Sequence, residues 1–307
     1  MRSVAPFSSL VAVVAILLLA GCDSLAVSTP EPVTLTIGGA TAMRPVLRAL
    51  ADDFSRQHPN VSVSLLGGGS TLGEASVRNG ELQLGASTLF PPEQRTGAGD
   101  PISATVTADP LRRTPIGLDG IAVIVHATND VDELSLVQLQ DLFSGKVLDW
   151  QALGSNSGEV MLVSREDGSG SRTLFEERVM GEERVSLTAV VMPTSEDVVT
   201  YIAANPQAIG YVSRGHLAPL LATSEAAGAE PPSSSLPISG TLASIRVVAV
   251  EGVLPLSDAL REQRYPLTQP LYLITQGPPT GWLRRFLDFV LSPAGQTIVG
   301  RFHVPIR

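Results

Sequence analysis

Hydrophobic and polar residues alternate along this chain with two periods that follow each other in turn. Residues 33–37 and 61–66 are apolar at every second position, which predicts β-strands. Between them, apolar residues recur at helical spacing from Pro45 until His58 and the proline that follows it. Residues 72–79 have helical spacing again. The periodic part of the chain therefore begins with strand, turn and helix, twice over.

The same alternation continues to the carboxyl end. Further strands are predicted at residues 81–86, 120–125, 160–163, 208–212, 245–250 and 271–275. Helices are predicted at residues 136–143 with Ser135 as the cap, after a cap at Ser195 as far as Asn205, at residues 282–290, and again from Ser292-Pro293. Residues 223–239, rich in Ala, Gly, Pro and Ser, predict a surface loop. Strands that alternate with helices predict an α/β fold with mostly parallel sheets.

Hydroxyl residues follow the first three predicted strands. Thr41 comes after the first strand, Ser70 after the second, and Ser87 with Thr88 after the third. In open α/β sheets, ligands bind outside the carboxyl ends of the strands. We therefore expect these hydroxyl groups to converge on one crevice.

The strand at 160–163 leads into Ser-Arg-Glu-Asp-Gly-Ser-Gly-Ser-Arg, which we call the 164–172 loop. Its glycines let successive N–H groups point to one spot, Ser169 and Ser171 add hydroxyls, and Arg165 adds a cationic fork. A helix that begins near Ser171 would add its positive dipole end. Alone, the loop also fits an ordinary connection with a helix cap. Together with the other three turns, it predicts a site for a small dehydrated oxyanion.

Composition narrows the choice of ligand and partner. The 307 residues are 44% hydrophobic and 17% charged, as in a globular protein, and the length favours two domains. The formal net charge is −9 and Lys146 is the only lysine, which argues against a nucleic-acid partner. The four histidines stand in no catalytic or metal-ligand pattern, and no cofactor is expected. An anion must therefore be held by local groups rather than by overall charge.

Residues 1–22 predict an export signal with a positive start, an apolar stretch and a small-residue end. Leu19-Ala20-Gly21-Cys22 resembles a bacterial lipobox, which implies cleavage before Cys22 and lipid attachment to its sulfur. Residues 23–32 are then a polar tether. A plain secretory signal with an incidental cysteine is the alternative. Cys22 is the only cysteine, so the chain has no intrachain disulfide and no thiol-based site.

Six segments stand in an order that carries a family resemblance. They are Gly39-Ala40-Thr41-Ala42-Met43-Arg44-Pro45, Gly67-Gly68-Gly69-Ser70, Gly85-Ala86-Ser87, Arg165-Glu166-Asp167-Gly168-Ser169-Gly170-Ser171, Ala208-Ile209-Gly210-Tyr211 and Ser292-Pro293-Ala294-Gly295-Gln296. In this order they resemble the phosphate-binding proteins of bacterial phosphate ABC transporters, which belong to the type II periplasmic-binding-protein superfamily. The resemblance runs from about residue 33 to 305, and residues 165–171 are its most specific part.

The resemblance implies a two-domain clamshell that closes on one anion. Domain I is expected at residues 33–127 plus 268–307 and domain II at 128–267. The implied protein is a monomer, lipid-anchored on the extracytoplasmic face of the cell membrane, that delivers inorganic phosphate or a similar oxyanion to ABC permease subunits. Carried over by position, the ligand-binding residues are Thr41, Ala42, Ser70, Ser87, Thr88, Arg165, Ser169, Gly170 and Ser171.

One departure from the family pattern bears on the identity of the anion. Many members carry an aspartate where this chain has Thr88, and a carboxylate there accepts a hydrogen bond from protonated phosphate. Its absence weakens the preference for phosphate over sulfate, molybdate or tungstate. Glu74, Asp119 or Asp167 can supply the acceptor instead, and the sequence leaves that choice open.

Two other classes of function compete with a transport receptor. A serine phosphatase or esterase is disfavoured because Gly168-Ser169-Gly170 lacks the spacing of a nucleophile elbow, and the chain is predicted not to be an enzyme. A phosphate sensor without a transport role would use the same residues, so the sequence does not separate it from a transport protein.

Overall fold

Strands and helices alternate in the computed structural model, which describes residues 31–91, 110–155, 158–226 and 240–306. The strands are β1 Val33–Gly39, β2 Val61–Gly68, β3 Leu84–Ser87, β4 Leu111–His126, β5 Glu133–Leu134, β6 Met161–Arg165, β7 Val190–Met192, β8 Ala208–Ser213, β9 Ile245–Val250, β10 Thr268–Gln276 and β11 Val304–Pro305. The α-helices are α1 Arg44–Gln57, α2 Gly69–Arg78, α3 Leu136–Ser144, α4 Gly170–Phe175, α5 Ser195–Ala204, α6 Ala218–Ala226, α7 Ser257–Arg261, α8 Gly281–Leu291 and α9 Pro293–Val299.

The strands form one continuous hydrogen-bonded path in the order β2-β1-β3-β10-β4-β8-β6-β7. β9 and β11 also pair with β4, and β5 pairs with β9. Among the pairings of the described residues, those between β1 and β2, β1 and β3, β5 and β9, β6 and β7, and β6 and β8 are parallel. Every antiparallel pairing among them involves β4 or β10. The two longest strands, β4 and β10, therefore connect three groups of parallel strands, which are β1–β3, β6–β8, and β5 with β9.

Buried apolar side chains gather in separate clusters within the compact unit Val33–Arg307. One cluster collects residues of β1, β2, β3, α1, β10, α8 and α9, and takes Ile116 from β4. Two others collect residues of β6, β8 and β9 with α3, α4, α5, α6 and α7, and take the residues of β4 from Ile121 onward. β4 thus passes from one core to the others along its own length.

The second part of β4 shows why its sequence is a continuous apolar run. Ile121, Val123 and Val125 point into one cluster, while Ala122 and Ile124 point into another, and all five are fully buried. Successive side chains of a strand face opposite sides of the sheet. A strand covered on both faces must therefore be apolar at every position, as predicted for residues 120–125.

Local cap signals locate several helix ends correctly. The Ser135 hydroxyl accepts from the Gln138 backbone N–H and the Gln138 side chain accepts from Ser135, so a full capping box begins α3. Ser292 caps α9 with a single hydrogen bond, its hydroxyl accepting from the N–H of Gly295. The α/β fold predicted from the alternation is confirmed, but only five of the ten strand pairings among the described residues are parallel, because β4 and β10 run against their neighbours.

Several predictions on element bounds are wrong, among them the following four. Ser195 is not a cap, because the Thr194 side chain accepts from the Asp197 N–H and Ser195 is the first residue of α5. β4 begins at Leu111, nine residues before the predicted strand, because pairing with β10 extends it. α2 begins three residues early, at Gly69, and the predicted loop at 223–239 begins inside α6.

Some predictions lie outside the described residues. These are the export signal at 1–22, the lipidation site Cys22, most of the tether at 23–32, and residues 227–239 of the predicted loop. Among the residues that the structure does describe, none of the helices combines the length and apolar character needed to span a bilayer.

Candidate functional site

Arg165, the last residue of β6, lies at the centre of a buried polar cluster with only 1% of its surface exposed. Its Nη2 donates to the hydroxyl of Thr41, after β1, at 2.9 Å. Its Nη1 donates to the hydroxyl of Ser195 at 2.7 Å. The Glu166 carboxylate accepts from Nε at 2.9 Å and from Nη2 at 3.0 Å, which makes a bidentate ion pair. The guanidinium is therefore fixed in position by groups from three different elements.

The 164–172 loop bends sharply so that its serines begin a helix beside Arg165. Gly168 has φ +89°, a left-handed conformation that favours glycine. Ser169 then caps α4, its hydroxyl accepting from the Arg172 N–H at 3.4 Å. Ser169, Gly170 and Ser171 are buried at the start of α4. The segment is thus both a helix cap and a buried run of hydroxyl and backbone N–H groups that follows Arg165 in the chain.

Hydroxyls after β2 and β3 meet at the same place. The Thr88 N–H donates to Ser70 Oγ at 3.1 Å, and the two hydroxyl oxygens lie 3.4 Å apart. Ser70 belongs to the first turn of α2, and both side chains are buried. Thr41 and Ala42, also buried, form a short 3-10 turn after β1. The carboxyl ends of the first three strands therefore present hydroxyls to one region, as the strand-end rule leads us to expect.

Gly170 of the 164–172 loop lies against the hydroxyls of Ser70 and Thr88. A Cβ at this position would lie 2.1 Å from Thr88 Oγ1 and 2.6 Å from Ser70 Oγ, closer than atoms can pack. The neighbouring backbone also makes contact, because the Thr71 N–H donates to the Gly168 carbonyl at 3.1 Å. A side chain at position 170 would therefore force the side chains of Thr88 and Ser70 to move.

Ser87 lies beside Thr88 but turns its hydroxyl away from this cluster. Its Oγ donates to Glu74 Oε1 at 2.6 Å and accepts from the Leu89 N–H at 3.1 Å. The other oxygen of Glu74 pairs with Arg113 at 2.8 Å, where both side chains are largely buried. The proton of Ser87 is therefore committed to Glu74.

Ser171 contacts the long strands through a glutamine. Gln269 Nε2 lies 3.3 Å from Ser171 Oγ and 2.8 Å from Asp119 Oδ2. The second oxygen of Asp119 lies 3.1 Å from His303 Nδ1. A buried polar chain thus connects the start of α4 to β4 and β10.

Aromatic residues pack beside the 164–172 loop. Tyr211 stacks on Phe175 of α4 with ring centroids 4.1 Å apart, and Phe143 packs against Phe175 edge-on. The Tyr211 hydroxyl lies 2.9 Å from Ser164 Oγ. Burial raises the pKa of Tyr211 to about 12, and the hydrogen bond with Ser164 acts in the opposite direction. Tyr211 is therefore a neutral support for the loop at physiological pH.

His216 contacts the site from another direction. Its Nε2 donates to the Thr41 carbonyl at 3.1 Å, which fixes the proton on that nitrogen. Burial lowers the pKa of His216, against the opposing field of Glu196. The imidazole is therefore neutral where it contacts Thr41.

Sequence reasoning missed three contributors to this cluster. Ser195 was expected only to cap a helix, although the adjacent Thr194 can cap equally well and leaves Ser195 free for Arg165. His216 and Gln269 lie in no motif. Both act through contacts with residues more than 90 positions away, which a local pattern does not reveal.

The three candidate acceptors named from the sequence occupy different places. Glu74 is bonded to Ser87 and Arg113, and Asp119 to Gln269 and His303. The Asp167 side chain is 94% exposed and pairs with Arg172. Within the described ranges, no three His, Cys, Asp or Glu side chains gather as metal ligands.

The fold and the strand-end hydroxyls place this chain among α/β proteins with a polar site between strand termini. A family model described as the PBP superfamily domain matches residues 26–294, which is most of the chain. The chain belongs to the PBP superfamily.

Individual relatives extend the comparison. The phosphate-binding protein PstS of Bacillus subtilis is 27% identical over 260 residues, covering 84% of this chain and 75% of the relative. The protein of that name from Pseudomonas aeruginosa is 24% identical over 287 residues, covering 85% and 79%. The resemblance to phosphate-binding proteins predicted from the sequence is therefore confirmed.

Solved structures give the same family. A candidate phosphate ABC transporter substrate-binding protein from Clostridium perfringens, solved with bound phosphate, has a TM-score of 0.73 at 27% identity, covering 89% of this chain and all of that one. An ABC-type phosphate transport receptor from Vibrio cholerae has a TM-score of 0.62 at 22% identity, with 89% and 100% coverage. The second similarity concerns the fold alone.

Proposed function

We propose that this chain is the extracytoplasmic substrate-binding protein of a bacterial phosphate ABC transporter. It captures inorganic phosphate and delivers it to the permease subunits. The name of the Bacillus subtilis relative and the phosphate bound in the Clostridium perfringens structure support this assignment. The observation that carries it is Arg165, a buried guanidinium surrounded by hydroxyls from other elements.

The cluster offers phosphate a shell of neutral donors around one cation. Arg165 provides the charged contact and Thr41 a hydroxyl beside it. Thr41, Ala42 and Ser70 belong to turns that begin helical structure, where backbone N–H groups are free to bind an anion. The other donors of the proposed shell are Thr88, Ser169, Gly170 and Ser171, whereas Ser87, which the resemblance also assigns to the site, gives its proton to Glu74.

The anion bridges two domains in this proposal, domain I at 33–127 plus 268–307 and domain II at 128–267. The division of the buried apolar residues into clusters that meet along β4 supports two domains, although the residues of β4 from Ile121 onward pack in the clusters of domain II. Four hydrogen bonds described above join the proposed domains at the site: Arg165 to the Thr41 hydroxyl, His216 to the Thr41 carbonyl, Thr71 to Gly168, and Gln269 to Ser171. An anion that touches both domains favours the closed arrangement because only that arrangement gives it all its contacts.

The membrane attachment of the protein rests on the sequence. A lipid on Cys22 and the tether at 23–32 would hold the binding domains near the membrane that contains the permease. The same anchor would serve a phosphate sensor.

Thr88 supports a second candidate ligand, an oxyanion without a proton such as sulfate, molybdate or tungstate. The oxygens of Glu74 and Asp119 are bonded to protein donors, and Asp167 is exposed. A carboxylate in the shell is what favours a protonated anion, since two bare negative charges repel each other. Phosphate remains the first candidate because of the relatives.

Calorimetric titration of the purified mature protein with phosphate, sulfate, molybdate and tungstate tests the proposal. We expect saturable binding of phosphate. If phosphate gives no heat of binding and one of the other three anions saturates the protein, that anion becomes the proposed ligand. Binding of none of the four would overturn the proposed function, and turnover of p-nitrophenyl phosphate would show an enzyme instead.

A further inference from the structure

Gln269 stands between the long strands and the proposed anion shell, and it lies outside the residues that resemblance assigns to the site. It is fully buried, as are Asp119 and His303, and Ser171 is 1% exposed. Its Nε2 lies 2.8 Å from Asp119 Oδ2 and 3.3 Å from Ser171 Oγ. The amide therefore uses a single nitrogen to contact both a carboxylate and a serine.

The orientation of this amide is set by Asp119. A carboxylate only accepts hydrogen bonds, so the Gln269 NH₂ group must face it, and the reversed amide would place an oxygen against an oxygen. Gln269 and Asp119 are register partners on β10 and β4, so the backbone keeps the two side chains adjacent. His303 Nδ1 holds the other carboxylate oxygen at 3.1 Å. Gln269 Oε1 has no partner among the described residues, so its carbonyl does not compete in orienting the amide.

A fixed amide in turn fixes the direction of the Ser171 proton. Gln269 donates to Ser171 Oγ, so the serine oxygen accepts in that contact. Its own proton must then point elsewhere, and Ser171 lies in the first turn of α4, beside Ser169 and Gly170. We propose that Gln269 is a positioning residue that makes the Ser171 hydroxyl a hydrogen-bond donor to the bound oxyanion. This inference rests on the proposed function.

The arrangement also selects the protonation of the anion at one point. When the Ser171 hydroxyl donates to the anion, the oxygen that faces it accepts, since two protons cannot be presented to the same contact. The position next to Ser171 therefore takes an unprotonated oxygen. A proton on phosphate must lie at another corner of the shell.

A double-mutant cycle on phosphate affinity separates positioning from a merely structural role. Ser171→Ala should weaken binding by about ten- to a hundredfold, as expected for a hydrogen bond to a charged group. Gln269→Met, which keeps the volume of the side chain, should weaken binding by about two- to tenfold in the wild-type background. In the Ser171→Ala background it should change affinity by no more than roughly twofold, because no hydroxyl remains to be oriented.

Ser169→Ala provides the matched control, since no described hydrogen bond joins Gln269 to Ser169. In the double variant Ser169→Ala/Gln269→Met, the fold-loss of phosphate affinity should equal the product of the two single losses. If Gln269→Met lowers phosphate affinity by the same factor in the wild-type and Ser171→Ala backgrounds, the inference is overturned and the proposed function is unaffected. Failure of the wild-type protein to bind any oxyanion would remove both. If circular dichroism shows Gln269→Met to be unfolded, Gln269→Asn enters the same cycle.

Discussion

Replacing Arg165 by alanine is the most direct perturbation of the proposed site. The residue is 1% exposed and gives up contacts to Thr41, Ser195 and Glu166 when truncated. A bound dianion would lose its charged partner and would face Glu166, whose carboxylate is then unpaired. Truncating one partner of a buried, hydrogen-bonded charge pair in a complex costs about 2–5 kcal/mol of binding free energy. That corresponds to a loss of phosphate affinity of about 30- to 4,000-fold.

Arg214 offers a matched control for Arg165→Ala. It is 4% exposed, pairs with Glu225 at 2.8 Å and donates to Ser257 at 2.9 Å, none of which belongs to the proposed shell. We expect Arg214→Ala to lower the free energy of unfolding in urea by an amount similar to Arg165→Ala. Only Arg165→Ala should abolish the calorimetric signal with phosphate. Affinity within tenfold of wild type in Arg165→Ala, or an equal loss in Arg214→Ala, would refute the reasoning.

Three further changes test the packing, the selectivity and the pH response. Gly170→Ala places a Cβ 2.1 Å from Thr88 Oγ1, so we expect about tenfold weaker phosphate binding by calorimetry, whereas Gly300→Ala, whose nearest neighbour is 3.4 Å away, should bind normally. Thr88→Asp adds a carboxylate beside Ser70 and should raise the affinity ratio of phosphate to sulfate by at least about tenfold; an unchanged ratio would mean that position 88 does not face the anion. Tyr211 has its pKa raised from 10.0 to about 12, so the folded state holds its proton longer than the unfolded chain does. The resulting stability, on the order of 3 kcal/mol, is present below pH 10 and lost as the pH rises toward 12, which urea unfolding should show for wild type and to a smaller extent for Tyr211→Phe.

The sequence predicted those helices and strands that are marked by a cap residue or an apolar run in the same few residues. The capping box at Ser135 and the serine before α9 locate helix starts because each satisfies backbone N–H groups of its own first turn. The apolar run in the second part of β4 shows burial on both faces directly. The first part of β4 carries no such run, since Arg112, Arg113 and Thr114 interrupt it. Pairing with the distant β10 makes that part a strand, and such pairing leaves no local signal.

Some residues of the candidate site were likewise predictable from the local sequence and others were not. The hydroxyls of Thr41, Ser70 and Thr88 were predictable because each follows a strand, and strand ends share an edge of the sheet. The bonding of Ser87 to Glu74 and the contact of Gln269 with Ser171 were not predictable. These contacts depend on which side chain faces which neighbour across the fold, and a single sequence does not carry that information.

The ion pair between Arg165 and Glu166 has a consequence for the kinetics of capture. The carboxylate cancels the charge of the guanidinium beyond a few ångströms, and the whole chain carries a formal net charge of −9. A diffusing dianion is therefore repelled at long range and gains its contacts only at the end of its approach. Dissolved ions screen that repulsion, so added salt should speed association rather than slow it. In the proposed function, the contacts that an anion makes inside the site then decide which anion binds, because long-range attraction does not favour anions in general.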